Sequence, residues 1–262
     1  MNLKALITGA SSGIGFAYAK YLSSQGWDLS LISNNEERSK QAELNLAYEN
    51  AKFYINDLSK PDSIKSIVNS QRTPDLIVAN AGIAVNGPIG QLSAGEKDHA
   101  YYLMCGGVID LVEGFLPSMI ERGNGRIVII SSIGAITAMP KSSIYSSIKS
   151  GVYAYGKSIS AELKDAGISV TVSLPGYVRT SAHKRAGLDH LEKKVPNWMW
   201  VKPEQVVKET EQASLNKKTE VVPGKVYKIT RPFLTLKFSV NNSAHAIAVP
   251  PVATKSSTIT TF

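Results

Sequence analysis

Short apolar segments alternate along the chain with longer segments in which hydrophobic residues recur at helical spacing. The short segments contain few polar residues, which is the pattern of strands buried on both faces of a parallel sheet. Strands are predicted in this way at residues 3–8, 27–33, 51–56, 75–79, 125–131 and 168–174, with a last edge strand and its turn at 220–224.

Amphipathic helices are predicted between these strands, at residues 14–25, 36–48, 61–70, 94–121 and 143–165. This alternation predicts an α/β fold: a single doubly wound, Rossmann-type domain with a mostly parallel seven-stranded sheet and helices on both faces. In such a sheet, ligands bind beyond the carboxyl ends of the strands, where the strand order reverses.

The alternating pattern ends near residue 230, so the dinucleotide-binding domain is predicted over residues 1–230. Residues 231–240 (RPFLTLKFSV) are compatible with one more strand, but the residues after them are rich in Ser, Thr, Ala and Pro and lack helical periodicity. We therefore expect residues 231–262 to form a basic, loosely attached or disordered extension.

Composition excludes several other classes of protein. The 262 residues have the hydrophobic (43%) and charged (19%) content of a globular protein. No uninterrupted apolar run reaches the roughly 18 residues of a membrane-spanning helix, so no transmembrane segment is expected. The first strand begins at residue 3, which leaves no room for a signal peptide. The single cysteine, Cys105, cannot form an internal disulfide, and a cytoplasmic location is expected.

The net charge of +8 comes mainly from the end of the chain. Residues 221–262 contain no Asp or Glu and supply +5 of it, whereas the remainder is close to balanced. Because no recognition motif accompanies these basic residues, nucleic-acid binding is not expected. A metal site is not expected either, since the histidines show no ligand spacing. They are His99, His183, His190 and His245.

A glycine-rich turn, TGASSGIG, joins the first strand to the first helix and contains Gly9, Gly13 and Gly15. Glycines there let the backbone approach a pyrophosphate, and the helix N-terminus that follows favours its negative charge. The alternative is a tight turn without a ligand. The position of the turn at the start of a βαβ unit favours nucleotide binding.

A second motif places Tyr145 four residues before Lys149, so both side chains project from one face of a helix. A tyrosine hydroxyl, with a pKa of about 10, is a poor acid or base at neutral pH, and a nearby cation lowers that pKa. Ser132 ends the fifth strand and could hydrogen-bond a substrate oxygen beside the tyrosine. A surface pair without function is the alternative interpretation.

Taken in order along the chain, these motifs resemble the short-chain dehydrogenase/reductase family over roughly residues 3–224. Asp57 follows the third strand, Asn80-Ala81-Gly82 follows the fourth, and Pro175-Gly176 ends the sixth. The resemblance implies that Tyr145 is the acid/base, that Ser132 orients the substrate, and that Lys149 tunes the tyrosine and binds a ribose.

The same resemblance implies a set of cofactor-binding residues that follow the carboxyl ends of the strands. In it, Asp57 holds the adenine, and Val178 and Thr180 hold the nicotinamide amide. The full set is Gly9, Ser11, Ser12, Gly13, Ile14, Gly15, Asn34, Asp57, Leu58, Asn80, Ala81, Gly82, Tyr145, Lys149, Pro175, Gly176, Val178 and Thr180.

The function that the resemblance implies is an NAD(P)-dependent oxidoreductase that interconverts a carbonyl and an alcohol by hydride transfer. The alternative is a nucleotide-binding protein of the same fold with little or no turnover, acting as a regulator or scaffold. One departure of this sequence from the family's pattern supports the alternative. Met104 stands where relatives carry an asparagine, and a thioether is a poor hydrogen-bond partner, so catalysis is expected to be slower.

A second departure from the family's pattern concerns the choice between NAD and NADP. An acidic residue at the end of the second strand would bind the ribose of NAD, and an arginine would pair with the phosphate of NADP. This chain has Ser33-Asn34-Asn35 there and Arg38 a turn later. NADP is therefore the expected cofactor, with NAD left open.

The substrate is expected to be a small carbonyl or alcohol compound. Trp198, Met199 and Trp200 follow the sixth strand, where relatives place a loop over the substrate, and could line an apolar pocket or pack onto the body. The resemblance also implies a homodimer or homotetramer formed through the fourth and fifth helices, where Gly106 and Gly107 would leave a flat surface.

Overall fold

A parallel seven-stranded sheet forms the centre of the protein in the computed structural model, which describes residues 2–46, 50–85, 87–137, 140–180 and 195–232. Its strands are β1 Lys4–Thr8, β2 Asp28–Ser33, β3 Ala51–Ile55, β4 Leu76–Ala79, β5 Gly125–Ile130, β6 Ile168–Ser173 and β7 Glu220–Val221. The strand order is β3-β2-β1-β4-β5-β6-β7, and every neighbouring pair is parallel. The predicted doubly wound α/β fold is confirmed.

Helices cover both faces of this sheet. They are α1 Gly13–Ser23, α2 Glu36–Glu43, α3 Pro61–Ser70, α4 Ala94–Tyr101, α5 Gly107–Arg122, α6 Ser143–Glu162, α7 Pro203–Leu215 and a last helix, α8, over residues 225–232. Alternate residues of β1 show why the strands are mostly apolar. Ala5 and Ile7 pack towards α1, whereas Leu6 packs into the opposite cluster, formed largely by α3, α5 and α6.

The chain order reverses next to β1, which pairs with β2 on one side and β4 on the other. The loops that follow β1 and β4 therefore meet at the carboxyl edge of the sheet. This is the switch point at which an open α/β sheet binds its ligand.

The long helix predicted at residues 94–121 is divided in two. A π-helical turn, Tyr102–Gly106, separates α4 from α5, and the Gly107 N–H bonds to the Tyr102 carbonyl across it. A Cβ on Gly107 would lie 3.0 Å from the Tyr102 carbonyl oxygen and 3.1 Å from that of Leu58. Glycine is therefore what lets the widened turn pack against the loop after β3.

The same helical stretch, Ala94–Arg122, is long and apolar enough to cross a membrane by length and composition alone. Its apolar side chains pack against the sheet and against α3 and α6. Those buried in the core include Ala100, Met104, Val108, Leu111, Val112, Phe115 and Met119. Burial in the core thus accounts for these seven apolar residues.

Two predicted boundaries need correction. The helix predicted at residues 36–48 ends at Glu43, and residues 47–49 lie outside the described part of the chain. Residues 231 and 232, assigned to a possible strand, are the last described residues of α8. The rest of the predicted C-terminal extension, residues 233–262, lies outside the described residues.

Candidate active site

The glycine-rich turn after β1 is held against the loop after β4. The Asn80 side-chain amide donates to the Thr8 carbonyl at 2.9 Å, and the Thr8 hydroxyl accepts from the backbone N–H groups of Asn80 and Ala81, both at 2.9 Å. A Cβ on Gly15 would lie only 2.4 Å from the Gly9 carbonyl oxygen. Gly9 itself has φ +64°, a conformation that favours glycine. Asn80 therefore fixes the shape of the turn.

The turn presents the N-terminus of α1 to the carboxyl edge of the sheet. Ser12, the residue before the helix, makes no side-chain capping hydrogen bond, in contrast to Asn35 before α2 and Ser93 before α4. Ser11 accepts a hydrogen bond from the Ser33 hydroxyl at 2.9 Å, which ties the turn to the end of β2. First-turn amides not capped in this way fit the pyrophosphate of a dinucleotide.

The loops after β2 and β3 lie beside this turn. Asn34 is exposed, whereas Asn35 accepts from the Arg38 backbone N–H at 2.8 Å. Arg38 is half-buried, and its Nε is buried without a hydrogen-bond partner among the described residues. Asp57 accepts from the backbone N–H and hydroxyl of Ser59, and these bonds lower the pKa of its carboxyl. Leu58 is buried in the core.

Ser132, Tyr145 and Lys149 are brought together after β5. The Ser132 hydroxyl and the Tyr145 ring both lie beside Gly134, where a Cβ would be 3.4 Å from the Ser132 Oγ and 3.5 Å from the Tyr145 ring carbon Cε1. The Ser132 oxygen accepts from the Gly134 N–H at 3.1 Å. Lys149 lies one turn further along α6, with its Nζ 6.0 Å from the centre of the Tyr145 ring. Its ammonium donates to the Ile130 carbonyl at 3.0 Å, which anchors it to the end of β5.

Burial dominates the electrostatics of these groups. Lys149 is 6% exposed, and desolvation lowers its pKa to about 8. Burial also raises the pKa of the Tyr145 phenol, and the neighbouring Ser132 hydroxyl opposes that rise. The sequence predicts a lowered tyrosine pKa from the neighbouring cation. In the described structure the direction is the opposite, because desolvation outweighs the effect of the Ser132 hydroxyl.

The loop after β6 closes the site on the other side. Pro175 accepts a backbone hydrogen bond from Ile133 at 2.9 Å, and Val178 forms an isolated bridge with Val201. A Cβ on Gly13 would lie 3.2 Å from the Thr180 methyl group, so this loop reaches the glycine-rich turn. The glycine-rich turn, the Asn80-Ala81-Gly82 loop and the loop after β6 thus line one edge.

Tyr227, a residue that the sequence reasoning missed, supports this loop from α8. Its ring covers Gly176 so closely that a Cβ there would lie 2.0 Å from the ring carbon Cζ. Its hydroxyl donates to the Met199 carbonyl at 2.7 Å and accepts from the Tyr177 N–H at 2.9 Å. In the sequence, only Gly176, the glycine that this ring covers, belongs to a recognisable motif.

The tryptophan-rich segment packs partly onto the body. Trp200 donates to the Val195 carbonyl, and its ring lies 5.5 Å from that of Tyr177. Met199 packs against the core, whereas Trp198 is 65% exposed. Packing therefore accounts for Met199 and Trp200. Residues 181–194, which include His183 and His190, lie outside the described residues, as does His245.

Met104 and Cys105 lie in the π-helical turn behind the site. Met104 is 1% exposed, and its sulfur lies 3.3 Å from the position that a Cβ on Gly82 would take. Cys105 is also buried. Burial raises the pKa of its thiol, and the nearby Lys149 charge opposes that effect. Met104 thus packs against the Asn80-Ala81-Gly82 loop as a core side chain.

Comparison with known proteins gives a consistent result. A sequence profile of the family described as short chain dehydrogenase matches residues 3–190. The 3-oxoacyl-[acyl-carrier-protein] reductase FabG of Chlamydia trachomatis is 29% identical over 219 residues, covering 79% of this chain and 88% of the relative. The oxidoreductase UcpA of Escherichia coli K12 is 32% identical over 182 residues, covering 67% of this chain and 69% of the relative.

Solved structures resemble the whole fold. A short-chain dehydrogenase from Sphingobium yanoikuyae in complex with NADPH has a TM-score of 0.79 and 25% sequence identity to this chain. The similarity covers 96% of this chain and 98% of that one.

Proposed function

The chain belongs to the short-chain dehydrogenase family, and we propose that it interconverts a carbonyl compound and an alcohol by hydride transfer, using a nicotinamide dinucleotide. One observation carries the proposal: the Ser132 hydroxyl, the Tyr145 ring and the buried Lys149 ammonium lie together at the carboxyl end of β5. The NADPH bound in the Sphingobium structure and the reductase name of the Chlamydia relative support it.

The chain's own residues account for the movement of the proton. When bound, the nicotinamide supplies the hydride that the carbonyl carbon accepts. Ser132 donates a hydrogen bond to the carbonyl oxygen, and Tyr145 gives that oxygen its proton, so the carbonyl becomes an alcohol and the tyrosine a phenolate. The Lys149 ammonium stabilises the phenolate. Burial raises the pKa of the Tyr145 phenol, so the phenol carries the proton that this step needs.

Replacing Tyr145 by phenylalanine tests this assignment. We expect Tyr145→Phe to lose at least about a hundredfold in kcat on a panel of ketones and aldehydes, the usual contribution of a positioned proton donor. Tyr155→Phe is the matched control because its hydroxyl, on the same helix, has no hydrogen-bond partner among the described residues. If wild type and Tyr145→Phe are equally inert while both bind NADPH, the protein is a nucleotide-binding regulator or scaffold instead.

We propose NADPH as the preferred form of the cofactor. The half-buried Arg38 supports this preference, since its Nε is buried without a partner among the described residues and a phosphate would satisfy it. The loop after β2 also lacks a carboxylate, which would repel that phosphate: it reads Ser33-Asn34-Asn35. The adenosine ribose of a dinucleotide held by the glycine-rich turn would lie beside this loop.

Fluorescence titration of the wild type and Arg38→Gln with NADPH and NADH measures the preference. We expect NADPH to bind more tightly to the wild type, and the variant to lose about tenfold in NADPH affinity, the size of one charge-assisted contact. NADH affinity serves as the internal control and stays unchanged. Tighter binding of NADH to the wild type would contradict the NADPH preference and leave the hydride-transfer proposal intact.

A further inference from the structure

A cavity of about 260 Å³ opens between the loop after β4 and the start of α6. Its lining includes the apolar residues Val85, Leu92 and Ile144 and two exposed lysines, Lys97 and Lys141. Ile144 immediately precedes Tyr145, and Val85 lies three residues after Gly82. The cavity is therefore bounded by the two segments that carry the proton donor and the cofactor-facing loop. Its size suits a small molecule.

The two lysines make the cavity electropositive. Neither has a carboxylate within ion-pair distance in the described parts of the chain. Two acids flank Lys97 in sequence. The Glu96 carboxylate accepts from the backbone N–H and the hydroxyl of Ser93 in a capping box, and Asp98 forms no ion pair with either lysine among the described residues. Apolar walls strengthen the field of unpaired charges at such a site.

The backbone holds Lys141 at the rim in an uncommon conformation. Its φ is +65°, in the left-handed region that non-glycine residues rarely adopt. The Gly87 N–H donates to the Lys141 carbonyl at 2.9 Å and so ties the two loops together across the cavity. Such conformations persist where surrounding structure imposes them, and they cluster at ligand sites.

We propose that the substrate of the Tyr145 site is an oxo acid: a carbonyl compound whose short apolar chain ends in a carboxylate that Lys97 and Lys141 bind. This inference rests on the proposed carbonyl–alcohol interconversion and deepens it. The carbonyl lies at Tyr145, the chain lies along Val85 and Ile144, and the carboxylate pairs with the two ammonium groups. The apolar walls and the paired cations thus select different parts of one molecule.

Matched pairs of oxo acids and their methyl esters test the inference, because each pair differs only in the charge. Steady-state reduction is measured for the wild type and for the double variant Lys97→Gln/Lys141→Asn. Asparagine is used at position 141 because it tolerates positive φ. Lys65→Gln, on the exposed face of α3, is the control for loss of a lysine charge.

We expect the wild type to prefer the acid over the ester by about tenfold in kcat/KM, the size of two partly screened charge contacts, with the difference in KM. The double variant should lose this preference by a rise in KM for the acid alone, and Lys65→Gln should keep it. Equal use of acid and ester by the wild type, or a preference that the double variant retains, overturns the inference while the proposed function stands.

If the wild type reduces neither compound, the panel of ketones and aldehydes decides whether the proposed function fails, and the cavity is tested by binding. Thermal stabilisation by a saturated carboxylate of matching length, and not by its methyl ester, then supports the carboxylate site if the double variant loses it. No stabilisation of the wild type by the carboxylate overturns the inference. Failure of the proposed carboxylate site is therefore distinguishable from failure of the proposed function.

Discussion

Lys149 carries a positive charge where the protein offers it little solvation. Its side chain is almost fully buried, its ammonium donates to the Ile130 carbonyl, and its pKa is lowered to about 8. A lowered lysine pKa means that the charged form is less stable in the folded state than in water. The residue that we expect to stabilise the Tyr145 phenolate therefore lowers the free energy of unfolding.

Replacing this lysine by methionine should stabilise the fold at neutral pH. The shift of the Lys149 pKa from 10.5 to about 8 corresponds to a destabilisation of roughly 3 kcal/mol. The hydrogen bond to the Ile130 carbonyl offsets about 1 kcal/mol of it. We expect Lys149→Met to raise the free energy of unfolding by about 1–2 kcal/mol at pH 7, measured by urea denaturation, and to abolish turnover. Such an exchange of stability for activity is common at functional sites.

The pH dependence of this gain has a defined sign. Because the folded-state pKa lies below the unfolded value, the unfolded chain binds more protons between pH 8 and 10.5, and the wild type gains stability as the pH rises through that window. The advantage of Lys149→Met should therefore shrink towards pH 10. A variant less stable than the wild type at pH 7 would show that the hydrogen bond outweighs the desolvation.

Residue identity and residue environment differ in how far the sequence reveals them. Tyr145 and Lys149 were recognisable because helical spacing places them on one face, and Ser132 because it ends a strand. The direction of the shift in the Tyr145 pKa was not predictable from the sequence, since it depends on burial by segments distant in sequence. Lys97 and Lys141 give no local pattern at all, because only the folded loops bring them to one cavity.

At the scale of elements, the sequence predicts the strands well but does not predict where the long helix is interrupted. The strand β4 is fully apolar, and β5 is apolar after Arg126; both are bounded by polar or turn residues, so their ends are visible in the sequence. The π-helical turn at Tyr102–Gly106 was missed because one extra residue hardly disturbs a helical hydrophobic pattern. The short strand β7 was recognised as an edge, in agreement with its two paired residues.

Tyr227 shows how one helix supports the loop of another element. Its hydroxyl satisfies the Tyr177 N–H and the Met199 carbonyl, so it joins α8 to the loop after β6 and to the segment that carries Trp200. We expect Tyr227→Phe to lower the free energy of unfolding by about 2 kcal/mol, since two hydrogen bonds are lost. Urea denaturation measures this, and NADPH titration should show weaker binding as the loop loosens.

Tyr155→Phe is again the matched control, because it removes a buried hydroxyl without a partner in the described part of the chain. Removing an unsatisfied polar group from the interior is neutral or stabilising. We expect Tyr227→Phe to lower the free energy of unfolding and Tyr155→Phe to raise it or leave it unchanged. Equal destabilisation by both would mean that removal of a buried hydroxyl oxygen, not loss of its hydrogen bonds, explains the Tyr227 result.

At the scale of the whole molecule, one buried polar cluster joins distant parts of the chain. Glu211 on α7 accepts from the Tyr18 hydroxyl on α1 at 3.0 Å and pairs with Arg126 at the start of β5. Glu211 is 3% exposed, and Arg126 also donates to Ser214. The three side chains lie on the face of the sheet that α1 and α7 cover, opposite the face that α3, α5 and α6 cover.

Removing the charge of Glu211 should destabilise this whole face. A buried ion pair broken by removal of one partner leaves an uncompensated charge, here on Arg126, and costs several kcal/mol. We expect Glu211→Gln to lower the free energy of unfolding by about 2–4 kcal/mol in urea denaturation at pH 7. The glutamine keeps the size of the side chain, so a cavity does not contribute to the loss.

Glu204→Gln provides the matched control, because it removes the same charge from an exposed position in the first turn of the same helix. Its effect should stay near the few tenths of a kcal/mol expected for a surface charge at a helix N-terminus. A loss for Glu211→Gln no larger than that of Glu204→Gln would mean that water replaces the carboxylate around Arg126. The cluster would then contribute packing alone, and α7 would be held by its apolar contacts, such as that of Val207.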